Sequence, residues 1–289
     1  PDNDFIIDGD GEAFQTGLYA LSKLTKWNVD LNIYADTATS KVFINSKNVQ
    51  INRISGPHPA GNIGVQIHHI DPINKGDVIW YTSPQDVIVI GRLFLEGRFN
   101  AEKIVALTGS EVKKPRYYKV YIGSSIKNML ANNVKDGNLR YIIGNVLTGT
   151  QIIKDGYLGF YDSQLTVIPE GDQAEFMGWL APALHKFSMS RAFLSWLTPD
   201  KTYRLNSNTN GEKRAYVVTG QYEKVLPMDI YPVHLIKAIM AQDVERMENL
   251  GIYEVVEEDF ALCEFVCTSK INVQEVIREG LDLVKKECL

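Results

Sequence analysis

The chain has 289 residues, 45% of them hydrophobic and 10% aromatic, a make-up that excludes wholesale disorder. With 30 Lys+Arg against 35 Asp+Glu the net charge is -5, and no long basic run occurs, so a nucleic-acid backbone is excluded as principal partner. Three cysteines, an odd number late in the chain, make no secreted disulfide framework and fit a reducing compartment.

This length suggests roughly two domains, burying roughly three quarters of the unfolded surface without a metal or disulfide staple. The most apolar stretch, 86–95, is cut by Arg92 and bounded by Asp86 and Glu96. A spanning helix needs ~20 apolar residues, so this stretch reads as a buried helix. The opening Pro1-Asp2-Asn3-Asp4 has neither an initiator Met nor a signal pattern, and Pro1 reads as an internal residue of a longer protein.

In chain order, residues 4–8 read as a short strand that breaks at Gly9-Asp10-Gly11. Phe14, Leu18, Leu21 and Leu24 recur at helical spacing up to Lys26. Val29, Leu31 and Ile33 alternate with polar residues as a half-buried strand ending at Asp36, and 49–54 alternates likewise. A helix over 85–96 and a strand over 103–107 close a segment, 1–114, that reads as a partial Rossmann-like α/β domain. Pro115 marks the expected boundary. A strand at 117–122, a short helix at 125–131 and strands at 139–143 and 164–168 then make a small α+β unit over 115–170. Residues 171–225 read as a β-rich segment, with a hairpin over 202–218 turning at Asn210-Gly211. Residues 226–289 read as a helical C-terminal part, with helices at 234–240, 244–250, 260–266 and 273–284. The fold class expected is therefore α+β and multidomain, with no internal repeat or low-complexity linker.

Three constellations could carry chemistry. Asp8-Gly9-Asp10-Gly11-Glu12-Ala13-Phe14 is a broken dinucleotide loop with Phe14 at the third glycine position, and Asp36 stands where a ribose-binding acid would. Asp8, Asp10 and Glu12 repel a pyrophosphate and already satisfy the helix dipole, so an Asp10 N-cap on an acidic first turn is preferred. Gly56-Pro57-His58-Pro59-Ala60-Gly61, continuing to His68, His69, Asp71 and Pro72, is rich in Pro and Gly and follows a strand, where α/β sheets place ligand crevices. A metal would need His58, His68, His69 and Asp71 together. In an extended segment His68 and His69 point to opposite faces, so hydrogen-bonded histidines on a rigid loop are favoured and no metal is expected. The loop residues Gly56, Pro57, His58, Pro59, Ala60, Gly61, His68 and Asp71 are the expected binding surface. Cys263 and Cys267 share a helix face, yet with Cys288 they fall short of the four thiolates of a cluster and read as core cysteines. No nucleophile elbow, HExxH or P-loop occurs, and no catalytic residue is assigned.

The loop residues Gly56–Gly61 with His68, Asp71 and Pro72, together with segments 85–88, 91–94, 144–150, 190–194, 209–211, 220–229 and 261–267, resemble the A subunit of the sodium-translocating NADH:quinone oxidoreductases. The resemblance runs in order over most of the chain. It implies a Rossmann-like domain, then a β-grasp (soluble-ligand-binding) domain near 115–170, then a helical part. It also implies kinship to the C subunit of the Rnf complex and to the flavin subunit of complex I. It further implies a fragment without the family's N-terminal region, peripheral on the cytoplasmic face of the bacterial inner membrane. Its partners would be the other subunits, membrane subunits included, with quinone as a ligand near one end. Flavins, the iron–sulfur cluster and NADH would be handled by those other subunits. Gly9 and Gly11 lack a third glycine, and Cys263 and Cys267 lack a cluster set, so no cofactor is carried over to this chain. Two other readings remain open: a free-standing nucleotide- or small-ligand-binding protein, and a metalloenzyme built on His58, His68 and His69.

Overall fold

The computed structural model describes residues 1–35, 39–173, 175–178, 180 and 183–288. Its N-terminal part is organised by two helices that touch through glycines. These are α2, Gly11–Leu24, and α5, Pro84–Glu96, which follows α1 (Asn3–Ile7), β1 (Asp30–Tyr34), α3 (Lys41–Ile44), β2 (Gln50–Ile54) and α4 (Ile63–Ile70). A Cβ at Gly17 would overlap the Val87 carbonyl, and one at Gly91 would overlap that of Ala13, so the two helices run antiparallel at backbone contact. The ends of α5 are written in its sequence. Ser83 caps it by accepting from the Asp86 N–H at 3.2 Å, Pro84 occupies its first turn, and Gly97 leaves it at φ +69. Ile7, Phe14, Leu18, Val87 and Ile88 pack with Ile33 and Phe43 under the parallel pair β1–β2.

Residues 4–8 form no strand. Residues 4–7 lie in helix α1, which ends at the C-cap Asp8 and is nucleated by the Asp2 carboxylate, which accepts from the Asp4 and Phe5 N–H groups at 3.0 and 3.3 Å. A five-residue apolar run fits either structure, and the cap decides it.

The second sheet joins β3 (Glu102–Thr108), β4 (Arg116–Tyr121), β5 (Leu139–Ile143), β6 (Thr150–Ile152) and β7 (Gln164–Pro169) in the order β4-β3-β7-β5-β6, with α6 (Lys127–Leu130) on it. Strand β3 pairs antiparallel with β4 and parallel with β7. The strand over 103–107 thus lies in this sheet, N-terminal to Pro115. It alternates inward Lys103, Val105 and Leu107 with half-buried neighbours. Lys103 is buried against the Asp86 carboxylate at 3.2 Å and the Phe160 carbonyl at 2.6 Å, which fastens the sheet to α5. Gln85 adds a second fastening, its amide exchanging two hydrogen bonds with the Ile104 backbone.

Residues 171–225 contain no β-strand among those described, which corrects the expected β-rich segment. Asn210 takes the positive φ of a turn, +51, but the arms on either side are held by different partners. The Arg204 guanidinium pairs with the buried Glu111 at 2.6 and 2.9 Å, and the Gly171 N–H donates to Ser207 Oγ. The other arm goes elsewhere: the Arg214 N–H donates to the Ser269 carbonyl at 2.8 Å. Local turn chemistry loses to these tertiary bonds.

The C-terminal part is helical as its periodicity requires, with α7 (Pro232–Met240), α8 (Val244–Asn249), α9 (Ala261–Val266) and α10 (Val273–Cys288). Its core centres on Leu235, Ile236, Met247, Ile252, Phe260, Val273 and Ile277, and includes one intruder from the N-terminal part, Val65.

Gly91→Ala is expected to lower stability by about 1–3 kcal/mol, because the Ala13 carbonyl is rigid backbone that cannot yield. Gly61→Ala meets open space and leaves stability within about 0.5 kcal/mol. Urea denaturation of both variants, followed by circular dichroism, checks the contrast.

Candidate functional site

The Pro- and Gly-rich loop and helix α4 separate into two functional halves. Gly56, at φ +128, starts a turn in which the Ala60 N–H donates to the Pro57 carbonyl and the Asn62 N–H to that of Pro59. Gly56, Pro57, His58 and Gly61 are exposed, Ala60 is half-buried, and Pro59 is buried after a cis His58–Pro59 bond. The segment beyond is not extended. Ile63, Ile67 and Ile70 recur at helical spacing and 63–70 form α4, so His68 and His69 are neighbours on a helix, their rings edge-to-face at 5.2 Å. Asp71 is the exposed C-cap of α4, its N–H donating to the Ile67 carbonyl.

Each end of α4 is held by the C-terminal part. Ahead of the helix, Asn62 Nδ2 donates to the Glu258 carbonyl at 3.1 Å. The Asp259 carboxylate lies against Gly64, where a Cβ would overlap it, and accepts at 3.2 Å from the Val256 N–H. A carboxylate from a distant segment thus lies at a helix start, where the helix dipole favours negative charge. Burial, with Glu258 and Glu257 adding repulsion, raises the Asp259 pKa from 3.8 to about 6.

At the other end, His68 Nε2 accepts from the Asp229 N–H at 2.9 Å, which fixes the ring proton on Nδ1. Nδ1–H then donates to Glu254 at 2.7 Å, and His69 donates from Nε2 to the Pro227 carbonyl at 2.8 Å. Glu254 also borders an open cavity of about 330 Å³ shared with Ile73, Lys75, Glu248 and Tyr253. There Lys75 and the Tyr253 hydroxyl both donate to Glu248, at 2.7 and 2.6 Å, and the Lys75 hydrogen bond, with the tyrosine behind it, holds Glu248 below the usual carboxylate range.

Comparison with known proteins settles the relationship. Residues 1–99 match the family model described as the NqrA second alpha/beta domain, and residues 104–154 match the NQRA C-terminal domain. Across 98% of its length the chain is 39% identical to the A subunit of the Na(+)-translocating NADH-quinone reductase of Vibrio anguillarum, covering 63% of that protein. It is 38% identical over 99% of its length to the protein of the same name from Pasteurella multocida, and 40% over 96% to that of Rhodopirellula baltica. The chain belongs to this NqrA family. It spans just under two thirds of the length of these curated relatives.

The first family region contains the whole loop and α4, so the clamp described above ties that region to the C-terminal helices. The structure brings His68 together with Glu254, a residue with no signal in the sequence, and leaves His58 on the exposed turn. Among the described residues no three His, Cys, Asp or Glu side chains are placed to hold a metal. Asp10 stands at the N-cap position of α2 but makes no capping bond. Its carboxylate instead takes both bonds of the Arg92 guanidinium, at 2.7 and 2.8 Å. Asp36 lies outside the described residues. Cys263 and Cys267 are buried in the C-terminal core, and burial pushes the Cys263 thiol up to about 12, leaving it unreactive.

His68→Ala leaves Glu254 and the Asp229 N–H without their partner and is expected to cost about 2–4 kcal/mol, whereas His58→Ala stays within about 0.5 kcal/mol. Thermal unfolding of the two variants separates clamp from surface. Asp259 generates a pH dependence as well. Its folded value lies above its unfolded one, so its stabilising share is full below about pH 4 and is lost as pH rises through about 6. Asp259→Asn is expected to flatten this part of the stability curve between pH 4 and 7, measured by urea titration at stepped pH.

Proposed function

We propose that this chain acts as a peripheral, cofactor-free subunit of a membrane complex that oxidises NADH, reduces quinone and exports sodium ions. The observation that carries this reading is the 37–40% identity, over 95–99% of the chain, to proteins named as the A subunit of Na(+)-translocating NADH-quinone reductase. In this reading the chain is a scaffold near the quinone end, on the cytoplasmic face of the bacterial inner membrane. The flavins, iron–sulfur cluster and NADH site belong to other subunits. No helix among the described residues is long and apolar enough to cross a membrane, which suits a peripheral attachment.

The parts take roles accordingly. The segment with the parallel pair β1–β2 is assigned as a partial Rossmann-like domain, and the strand order β4-β3-β7-β5-β6 with parallel β3 and β7 supports a β-grasp domain. The exposed turn Gly56, Pro57, His58 and Gly61 is the face offered to a partner protein or quinone, while Pro59, Ala60, His68 and Asp71 hold it in shape. A turn presented on a rigidly clamped helix loses little freedom on binding, which favours recognition over catalysis.

Affinity-tagged full-length protein expressed with its neighbouring subunits tests the reading. Co-purification of those subunits is expected, with His58→Ala reducing the yield of complex at an unchanged melting temperature. Failure of every subunit to co-purify, or stoichiometric flavin or iron in the chain alone, would overturn it.

A further inference from the structure

Helix α4 lies on a seam between two parts of the fold, and the ends of that seam are held unequally. On one side the helix stays with the N-terminal part, where the Asn32 amide donates to Gln66 Oε1 at 2.8 Å. On the other side it meets the C-terminal part. At its last turn three hydrogen bonds cross the seam: His68 to Glu254, the Asp229 N–H to His68, and His69 to the Pro227 carbonyl. Lys75, just beyond, adds an ion pair with Glu248 at 2.7 Å. At its first turn the bridge is Asn62, donating to the Glu258 carbonyl at 3.1 Å, with Val65 buried in the C-terminal core.

The group packed into that weaker end is a carboxylate. Asp259 is 1% exposed and lies against Gly64. Its Oδ2 accepts from the Val256 N–H, and its Oδ1 is buried with no hydrogen-bond partner. The charged groups around it offer no relief. Its own turn supplies Glu257 and Glu258, both acidic, and α10 supplies Arg278, which is already bound to Glu257 and lies 3.8 Å from Asp282. From α9, Glu264 accepts from the Gln274 N–H and Cys263 is a buried thiol. The first turn of α4, Ile63-Gly64-Val65-Gln66, carries no titratable side chain. A helix start favours negative charge, but burial and the two neighbouring carboxylates outweigh it. An ionised Asp259 in the closed seam is thus a buried charge without a counter-ion, and water is what it lacks.

We propose that the Asp259 end of this seam is a proton-operated latch, closed while the carboxyl is protonated and swinging open about the histidine end when it ionises. Opening hydrates Asp259 and uncovers Val65, while the Gln66 bond keeps α4 on the N-terminal part. The sign follows from burial, which lifts the closed-state pKa from 3.8 to about 6. Closure is favoured fully below about pH 4, weakens about tenfold per unit up to about 6 and is level above, roughly a hundredfold in all. Protonation of His68 acts in the opposite sense, because it takes from Nε2 the lone pair that accepts the Asp229 N–H. The two groups are therefore told apart by direction. The latch stands apart from the subunit reading, and it sets how firmly the 56–61 turn is held against the C-terminal part.

The test is hydrogen exchange of the 289-residue chain, read by mass spectrometry between pH 4 and 8 and corrected for the intrinsic pH dependence of exchange. Peptides from 62–70 should exchange about tenfold faster than peptides from α7, or more, at every pH. Their protection should fall about tenfold per unit from pH 4 to 6 and then level. Asp259→Asn should hold 62–70 at the parent's acid value up to pH 8. Glu258→Gln, at an exposed side chain, removes a neighbouring charge and should end the fall at a lower pH. Protection of 62–70 that does not change with pH in the parent, or a fall that persists in Asp259→Asn, overturns the proposal. Equal protection of 62–70 and α7 at every pH overturns it too, since the whole C-terminal part then unfolds at once. If Asp259→Asn does not fold, Glu258→Gln decides, and a fall whose end it leaves unmoved overturns the latch.

Discussion

Helix α4 contributes its Val65 to a hydrophobic core built otherwise from residues beyond 221, and much of the architecture follows from that insertion. Eight residues of helix span only about 12 Å and would not hold together alone in water. The helix persists because the C-terminal part supplies what its ends lack. At its start Asn62 donates to the Glu258 carbonyl and the Asp259 carboxylate lies against Gly64, and two histidines at its last turn reach Glu254, the Asp229 N–H and the Pro227 carbonyl. The 57–61 turn is rigid by its prolines, and it is also anchored, since the helix it leads into cannot slide without breaking bonds at both ends.

The same logic joins the middle sheet to its neighbours. Lys103 and Asp86 form a buried pair, and such a pair stabilises little on its own account because both charges lose water. Losing either partner is costly, however, so the pair fixes one arrangement of sheet against α5. Glu111 does the equivalent on the other side. It is buried, and the Arg204 guanidinium, acting against the cost of burial, holds its carboxyl below the usual range. Arg204 belongs to the segment that would otherwise have closed a hairpin. Buried ion pairs thus fasten the middle sheet to α5 on one side and to the 171–225 segment on the other.

What is legible from residues alone follows from the range of the interactions. Helices α7 to α10 are visible because their apolar spacing is set by burial along one face, and α5 because Ser83, Pro84 and Gly97 mark its ends chemically. The strand over 139–143 is visible through local β-propensity. Residues 4–8, 63–70 and 202–218 mislead for one reason. The first two are short enough for local preference to be weak, and each of the three is decided by a partner far away in sequence or by a single capping carboxylate. His68 stands out by its setting among prolines and glycines, but Glu254, its partner 186 residues on, carries no mark at all.

Asp259 shows how far such reading can reach. The run Glu257-Glu258-Asp259 reads as the acidic start of a helix, and locally it is one, with Asp259 accepting from the Val256 N–H of its own turn. The structure sets the same carboxylate against the start of α4 at Gly64 as well, so one negative group lies near two helix starts. Oδ1 is left buried without a partner, which is the condition that disfavours ionisation and raises the pKa. Gly64 is required at that contact, because any larger residue would displace the carboxylate that organises both turns. The junction therefore concentrates a helix cap, a close backbone approach and a titrating group at one point, and the exposed turn that precedes it inherits its position from all three.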